Sequence, residues 1–353
     1  MYRSLLILFL FIFCNINAQV NTQFLPNSSW TKVKSKMLNG SRDLSQGPYE
    51  YLVWKFNDKK ICEYLDPWIT EKKKCIDFDV DKSLINRSDK LTYQIEKLTF
   101  DSLVVIQKTQ GETLPDKIKK IWFVKTSVLM KDFTNKATGD SIVITSPKVV
   151  PTLTKDIVSE MIETYLQKKY IHDFIVDGEI RIFPKKESIE VVTDPKEQNK
   201  KNQISIDLFR TTLEKNYKMW NLTGFENFEK IIIPYSFKSK IDNGVGKIVF
   251  YNRVSNKEKE NEGPIINIKN RLVSIENYKK GLEAISNQKF DKAIEFFIKA
   301  HEYDNTNTDS LYNAQSILLA QNNVSDACIV LKRLKDLEQT EGTKLYKEKC
   351  SEK

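Results

Sequence analysis

The chain has 353 residues, 40% hydrophobic and 11% aromatic, which excludes a disordered polymer and leaves room for two or three domains. Its 56 basic against 47 acidic residues give a formal charge of +9, but the cations lie in short scattered runs such as EKKKC and KEQNKK, beside turn residues. These runs read as solvated loops, with none of the clustered groove-reading or stacking elements that a nucleic-acid surface needs.

The opening MYRSLLILFLFIFCNINAQ sets Arg3 ahead of an apolar run over 5–13, followed by polar residues to Ala18. That layout predicts a secretory signal peptide over 1–18, cut between Ala18 and Gln19. The run is short for the ~30 Å hydrocarbon core, though a retained membrane anchor stays open as the alternative. Cys14 follows Phe13, where a lipid-attachment site needs a small residue. Export leaves Cys62, Cys75, Cys328 and Cys350, an even set in an oxidising compartment. Nearness in sequence pairs Cys62 with Cys75 and Cys328 with Cys350. With only His172 and His301 and no ligand spacing, neither a metal nor another cofactor is expected.

Residues 29–146 are strand-like. YEYLVWKF, KKCIDFDV, KLTYQIEKLTF, SLVVIQK and KIWFVK carry β-branched and aromatic residues, and Leu91, Tyr93 and Ile95 alternate onto one face. Turn residues at short intervals predict an antiparallel meander or small barrel. With SSW near its start and LTYQIEKLTFDSLVVIQK, the segment resembles lipocalin-like domains of secreted bacterial proteins. The resemblance implies a small apolar ligand if the barrel is open. A barrel of about eight strands is equally able to fill itself, here with Trp54, Phe56, Phe78 and Phe123.

Residues 154–254 read as helix, strand, strand, helix, strand. DIVSEMIETYLQKKY puts Ile157, Met161, Ile162, Tyr165 and Leu166 on one helical face, with Thr154 as the expected N-cap. HDFIVDGEIRIF and ESIEVVT follow, then ISIDLFRTTLEKNYKMW and FEKIIIPYSFKSK; KIVFYNR is a further edge strand or closes the sheet. The order, with GEIRIF and IIIPYSF, resembles the C-terminal domain of TonB-type proteins. The resemblance implies strand addition to a peptide of an outer-membrane transporter.

A polar linker over 255–270 leads to 274–353. There Ala293 and Ala327, Phe297 and Leu331, and Ala300 and Leu334 each stand 34 residues apart. With Gly281, Phe290, Ala293, Phe297 and Ala300 as small and large packing residues, this segment resembles tetratricopeptide repeats: a pair, completed by a capping helix around GTKLYKEKC. The first repeat has Asn305 in place of the usual closing proline, and the second has Gln315 where a small residue is expected. The resemblance implies a concave partner-binding face presenting Tyr278, Glu283, Asn313 and Gln315. His301 reads as a surface residue of a repeat helix.

No nucleophile elbow, phosphate loop or metal-binding helix appears, and DNGVGK lacks phosphate-loop spacing. No catalytic residue is expected, and the chain reads as non-enzymatic. The expected fold class is multidomain α+β: an antiparallel β meander or barrel, an αββαβ domain and all-α repeats. The expected function is protein–protein interaction in a bacterial envelope, periplasmic or outer-membrane-associated. The alternatives are a TonB-type energy-transducing transport protein, which needs a retained anchor, and a carrier of a small apolar ligand.

Overall fold

The computed structural model describes residues 22–45, 50–57, 59–68, 74–81, 83–137, 141–155, 157–167, 173–196, 199–242, 245–253 and 266–350. The signal-peptide reading, most of the linker and His172 lie outside these residues. The chain forms two compact units, one from 1–34, 49–112 and 120–255, the other from 35–48, 113–119 and 256–353.

The first strands of the chain are β1 (Ser28–Met37), β2 (Val53–Asn57), β3 (Lys60–Tyr64), β4 (Lys74–Asp77), β5 (Asp79–Asp81), β6 (Leu84–Ser88), β7 (Leu91–Leu98), β8 (Ser102–Thr109) and β9 (Lys119–Lys125). They form one sheet in the order β4-β3-β2-β1-β9-β8-β7-β6-β5. Its two end strands, β4 and β5, are consecutive in the chain with only Phe78 between them. β9 returns to pair with β1, so the sheet is a near-closed up-and-down antiparallel barrel with its seam at Phe78.

Side-chain alternation sets what the barrel holds. Trp30, Trp54, Phe56, Ile61, Ile85, Tyr93, Ile95, Leu103, Val105, Ile121 and Phe123 form one buried cluster. Register places Trp30 opposite Trp54, Phe56 opposite Ile61 and Ile95 opposite Val105. The Trp54 ring centroid lies 4.4 Å from that of Phe123 and 4.9 Å from that of Tyr93, and Phe56 meets Phe78 at 5.2 Å. The barrel's own aromatic rings therefore pack against one another in this interior.

After β9 the chain turns into α1 (Thr126–Lys136), a helix within a segment expected to be strands. Leu129, Met130 and Phe133 pack against a second core. That core lies under a mixed sheet of β10 (Ile142–Ile144), β12 (Phe174–Phe183), β13 (Ser188–Pro195), β15 (Lys230–Asp242) and β16 (Val245–Asn252). A small ladder joins β11 (Thr152–Leu153) to β14 (Trp220–Asn221). Parallel β10 and antiparallel β16 share one side of β15, β12 takes the other, and β13 is the outer strand. α2 (Ile157–Gln167) and α3 (Lys200–Glu214) supply Met161, Tyr165, Ile206, Phe209 and Leu213 to the core.

The helix, strand, strand, helix, strand order is present as α2-β12-β13-α3-β15. The residue directly before α2 lies outside the described residues; the Thr154 hydroxyl donates to the Met219 carbonyl at 2.9 Å, tying the β11 and β14 ends together. Gly178 is required on β12, because a Cβ there would lie 2.1 Å from the Val192 carbonyl oxygen and 2.9 Å from Tyr235 Oη. Trp68, from the β3–β4 connection, is fully buried in this second core; it stacks on Phe250 at 4.4 Å and donates to the Pro151 carbonyl at 3.2 Å.

The second unit holds α4 (Arg271–Ser286), α5 (Phe290–Tyr303), α6 (Thr308–Ala320), α7 (Val324–Asp336) and α8 (Thr340–Cys350). Asn270, Asn307 and Asn323 cap α4, α6 and α7 by accepting from the backbone N–H of the third residue of each helix. Gln288 and Asn322, 34 positions apart, both adopt left-handed backbone, at φ 55° and 58°. The following N–H groups reach back to Ala284 and Leu318 at 2.8 and 2.9 Å, the Schellman pattern that ends a helix and reverses the chain. Ala293, Phe297, Ala300, Ala327, Leu331 and Leu334, the residues of the 34-residue spacing, are all fully buried.

His301 is not a surface residue: it is 7% exposed, with Nδ1 3.3 Å from the Asn307 carbonyl at the α5–α6 turn. Both expected disulfides are formed. Cys62–Cys75 joins directly opposed residues of β3 and β4, and Cys328–Cys350 ties α7 to the end of α8. Among the described residues no helix is long and apolar enough to cross a membrane.

Candidate functional site

Two tyrosines 34 residues apart organise the helical unit. Tyr278 of α4 packs its ring 5.5 Å from Phe297 and accepts a hydrogen bond from Asn313 Nδ2 of α6 at 3.1 Å. Tyr312 of α6 accepts from the Gly342 N–H of α8 at 3.2 Å, so each tyrosine links its helix to a later one. Burial, above all, pushes the Tyr312 phenol up.

Of the four contact residues expected from sequence, Tyr278 and Asn313 are thus bonded to each other and Glu283 is exposed. Gln315 is 6% exposed, at the position corresponding to Gly281 in the first repeat. Its Nε2 donates to Ser316 Oγ at 2.8 Å, while its Oε1 is buried without a hydrogen-bond partner among the described residues.

Part of the helical surface carries two other segments of the same unit, 35–48 and 113–119. Leu44 joins the helical core. The Arg42 N–H donates to the Glu338 carbonyl at 3.1 Å, the Thr340 N–H to Ser41 Oγ at 3.0 Å, and Lys117 pairs with Asp309 at 2.7 Å. Asp43 anchors this loop. Burial pushes its carboxyl up, but hydrogen bonds from Ser45 and Ser35 and the Lys119 ammonium 3.3 Å away outweigh that and hold it below the usual carboxylate range. No sequence pattern marked these segments, since their partners lie about 200 to 300 positions away.

α4 is different. Leu272, Ile275 and Leu282 are 79%, 41% and 45% exposed, and their three- and seven-residue spacings put them on one stripe of the helix. Sequence reasoning named Glu283 and passed over Leu282. These apolar positions are not the ones that meet α5, which include Ser274, Tyr278 and Gly281.

The first unit offers two further arrangements. Inside the barrel, Arg87 donates to both oxygens of Glu63 at 2.5 and 2.9 Å, and Trp54 Nε1 donates to Glu63 Oε1 at 2.9 Å. The pair is nearly buried, and burial pushes the adjoining Tyr93 phenol up. On the mixed sheet β13 is an outer strand, with one of its donors, the Val191 N–H, taken by Glu214 of α3 at 3.0 Å. Among the described residues no group of three His, Cys, Asp or Glu side chains is placed to hold a metal ion. No family model, curated protein or solved structure matches the chain.

Proposed function

We propose that this chain is an exported, non-enzymatic interaction protein of a bacterial envelope, binding a partner polypeptide through α4. The reading takes the helical unit as a tetratricopeptide-type pair closed by α8. The 34-residue recurrence of buried residues and of left-handed turn residues supports it. The observation that carries the docking surface is the exposed stripe Leu272, Ile275 and Leu282 on a helix whose other face is packed. Two disulfides accord with folding in an oxidising compartment. The aromatic rings packed inside the barrel give the carrier reading less support.

A second reading, TonB-type engagement by strand addition, draws on the α2-β12-β13-α3-β15 order and on β13 as outer strand. Site-specific photocrosslinking in cells separates the two. The α4 reading predicts adducts to one protein from positions 275 and 282, and none from Lys299 on the exposed face of α5. Adducts from Thr193 on β13 alone favour strand addition. Equal labelling at all positions, or none, overturns both.

A further inference from the structure

A cleft of about 830 Å³ lies in the helical unit beside α7 and α8. Four lysines converge on it from three separate stretches of chain: Lys36 at the end of β1, Lys335 on α7, and Lys344 and Lys347 on α8. Lys344 has Glu341 as a partner at 3.8 Å, but Lys36, Lys335 and Lys347 have no carboxylate partner among the described residues. Lys335 instead lies over the Tyr346 ring at 4.6 Å, which fixes its stem without neutralising its charge.

The cleft is built to hold its shape. At one end the Thr340 N–H is bonded to Ser41 Oγ and the Gly342 N–H to Tyr312 Oη. At the other, the Cys328–Cys350 disulfide binds the end of α8 to α7. α8 is therefore pinned at both ends, and its Lys344 and Lys347 line the same cleft as Lys335. Like charges held together in a concavity repel one another and focus a positive potential, an arrangement relieved by an anion.

We propose that this cleft binds a phosphorylated saccharide carrying at least two negative charges. Lysine ammonium groups suit phosphate as point charges, and the volume is that of a small-molecule site. Thr340 and Thr343 line the cleft with hydroxyls; Glu338 Oε1 pairs with Arg42 at 3.3 Å, which leaves Glu338 Oε2 and the Glu348 carboxylate to accept from neutral sugar hydroxyls. The inference is independent of the α4 stripe and involves none of its residues.

The test is calorimetric titration of the full mature chain with glucose 1,6-bisphosphate, with glucose and inorganic phosphate as comparisons. The bisphosphate is expected to bind, more weakly as salt rises, and the two comparison compounds to bind far less. Lys335→Gln/Lys347→Gln should weaken binding by ~10-fold or more, and Lys36→Gln, which leaves α8 intact, should weaken it in the same direction. Lys280→Gln on α4 should leave it unchanged. Cosedimentation with vesicles bearing a bisphosphorylated disaccharide lipid, set against the soluble sugar, tells a lipid headgroup from a free sugar phosphate. No binding by the wild-type chain overturns the proposal. So does an equal loss in Lys280→Gln, which would reduce the effect to attraction by the net charge.

Discussion

The ring of Phe297 occupies the space beside Gly281 where any other residue would carry its Cβ; a Cβ built there would lie 2.6 Å from the ring. α4 and α5 approach as closely as they do because position 281 has no side chain. Gly281→Ala gains roughly 1 kcal/mol of helix propensity but overpacks the contact, and overpacking costs about 1–3 kcal/mol. The expected outcome is net destabilisation of the helical unit, read as a lower urea midpoint. A stabilised variant would mean that the helices separate freely.

The Glu63–Arg87 pair inside the barrel predicts an asymmetry between single and double substitution. Arg87→Met leaves the Glu63 carboxylate without its partner, a loss of about 3–5 kcal/mol for a buried pair. Glu63→Leu/Arg87→Met removes both charges and should cost less than Arg87→Met alone. Denaturant unfolding of the three proteins measures the difference. Equal losses would show that water reaches the pair.

His301 makes the helical unit sensitive to acid. Burial lowers its pKa from 6.5, aided by Arg333, against the opposing effects of the Asn307 carbonyl, Asp304 and Glu302. Above 6.5 both folded and unfolded chains hold it neutral, so it costs nothing. As the pH falls below 6.5 the unfolded chain takes up the proton first, and stability drops until the folded pKa is passed. His301→Gln should flatten that part of the stability–pH curve, measured by unfolding between about pH 7.5 and 5.

The disulfide between Cys328 and Cys350 encloses a 22-residue separation. Cys328→Ser/Cys350→Ser is expected to lose on the order of 3 kcal/mol by the chain-entropy model. Hydrogen exchange should rise first in α8, which without the bridge keeps the Ser41 and Tyr312 hydrogen bonds and the packing of Leu345 and Tyr346 on the helical core. Uniform exchange across all five helices would show that α8 has no separate dependence on the bridge.

The strands of the barrel were legible because a period of two is visible in one strand at a time. Tyr93 and Ile95 face inward as their alternation indicates. Both disulfides followed from proximity in sequence. α1 was missed because TSVLMKDFTNK continues from KIWFVK without a breaker, and Leu129, Met130 and Phe133 become a helical face only once the second core receives them. The Glu63–Arg87 pair was hidden for a related reason, since charged residues at inward strand positions look like exposed ones until the barrel closes. His301 reads as a surface residue and Gln315 as part of a concave contact face, yet both are buried; each sits beside a small packing residue, and only the close approach of the helices decides which side chains are buried. Leu44 gave no local sign at all that it belongs to the helical core.

The proposed function calls for an exported chain held by its two disulfides. Intact mass of the protein recovered from its native envelope, before and after reduction, tests this most directly. The prediction is a chain beginning at Gln19 that gains the mass of four hydrogens on reduction, two for each bridge. A chain still carrying residues 1–18, with a mass unchanged by reduction, would contradict it.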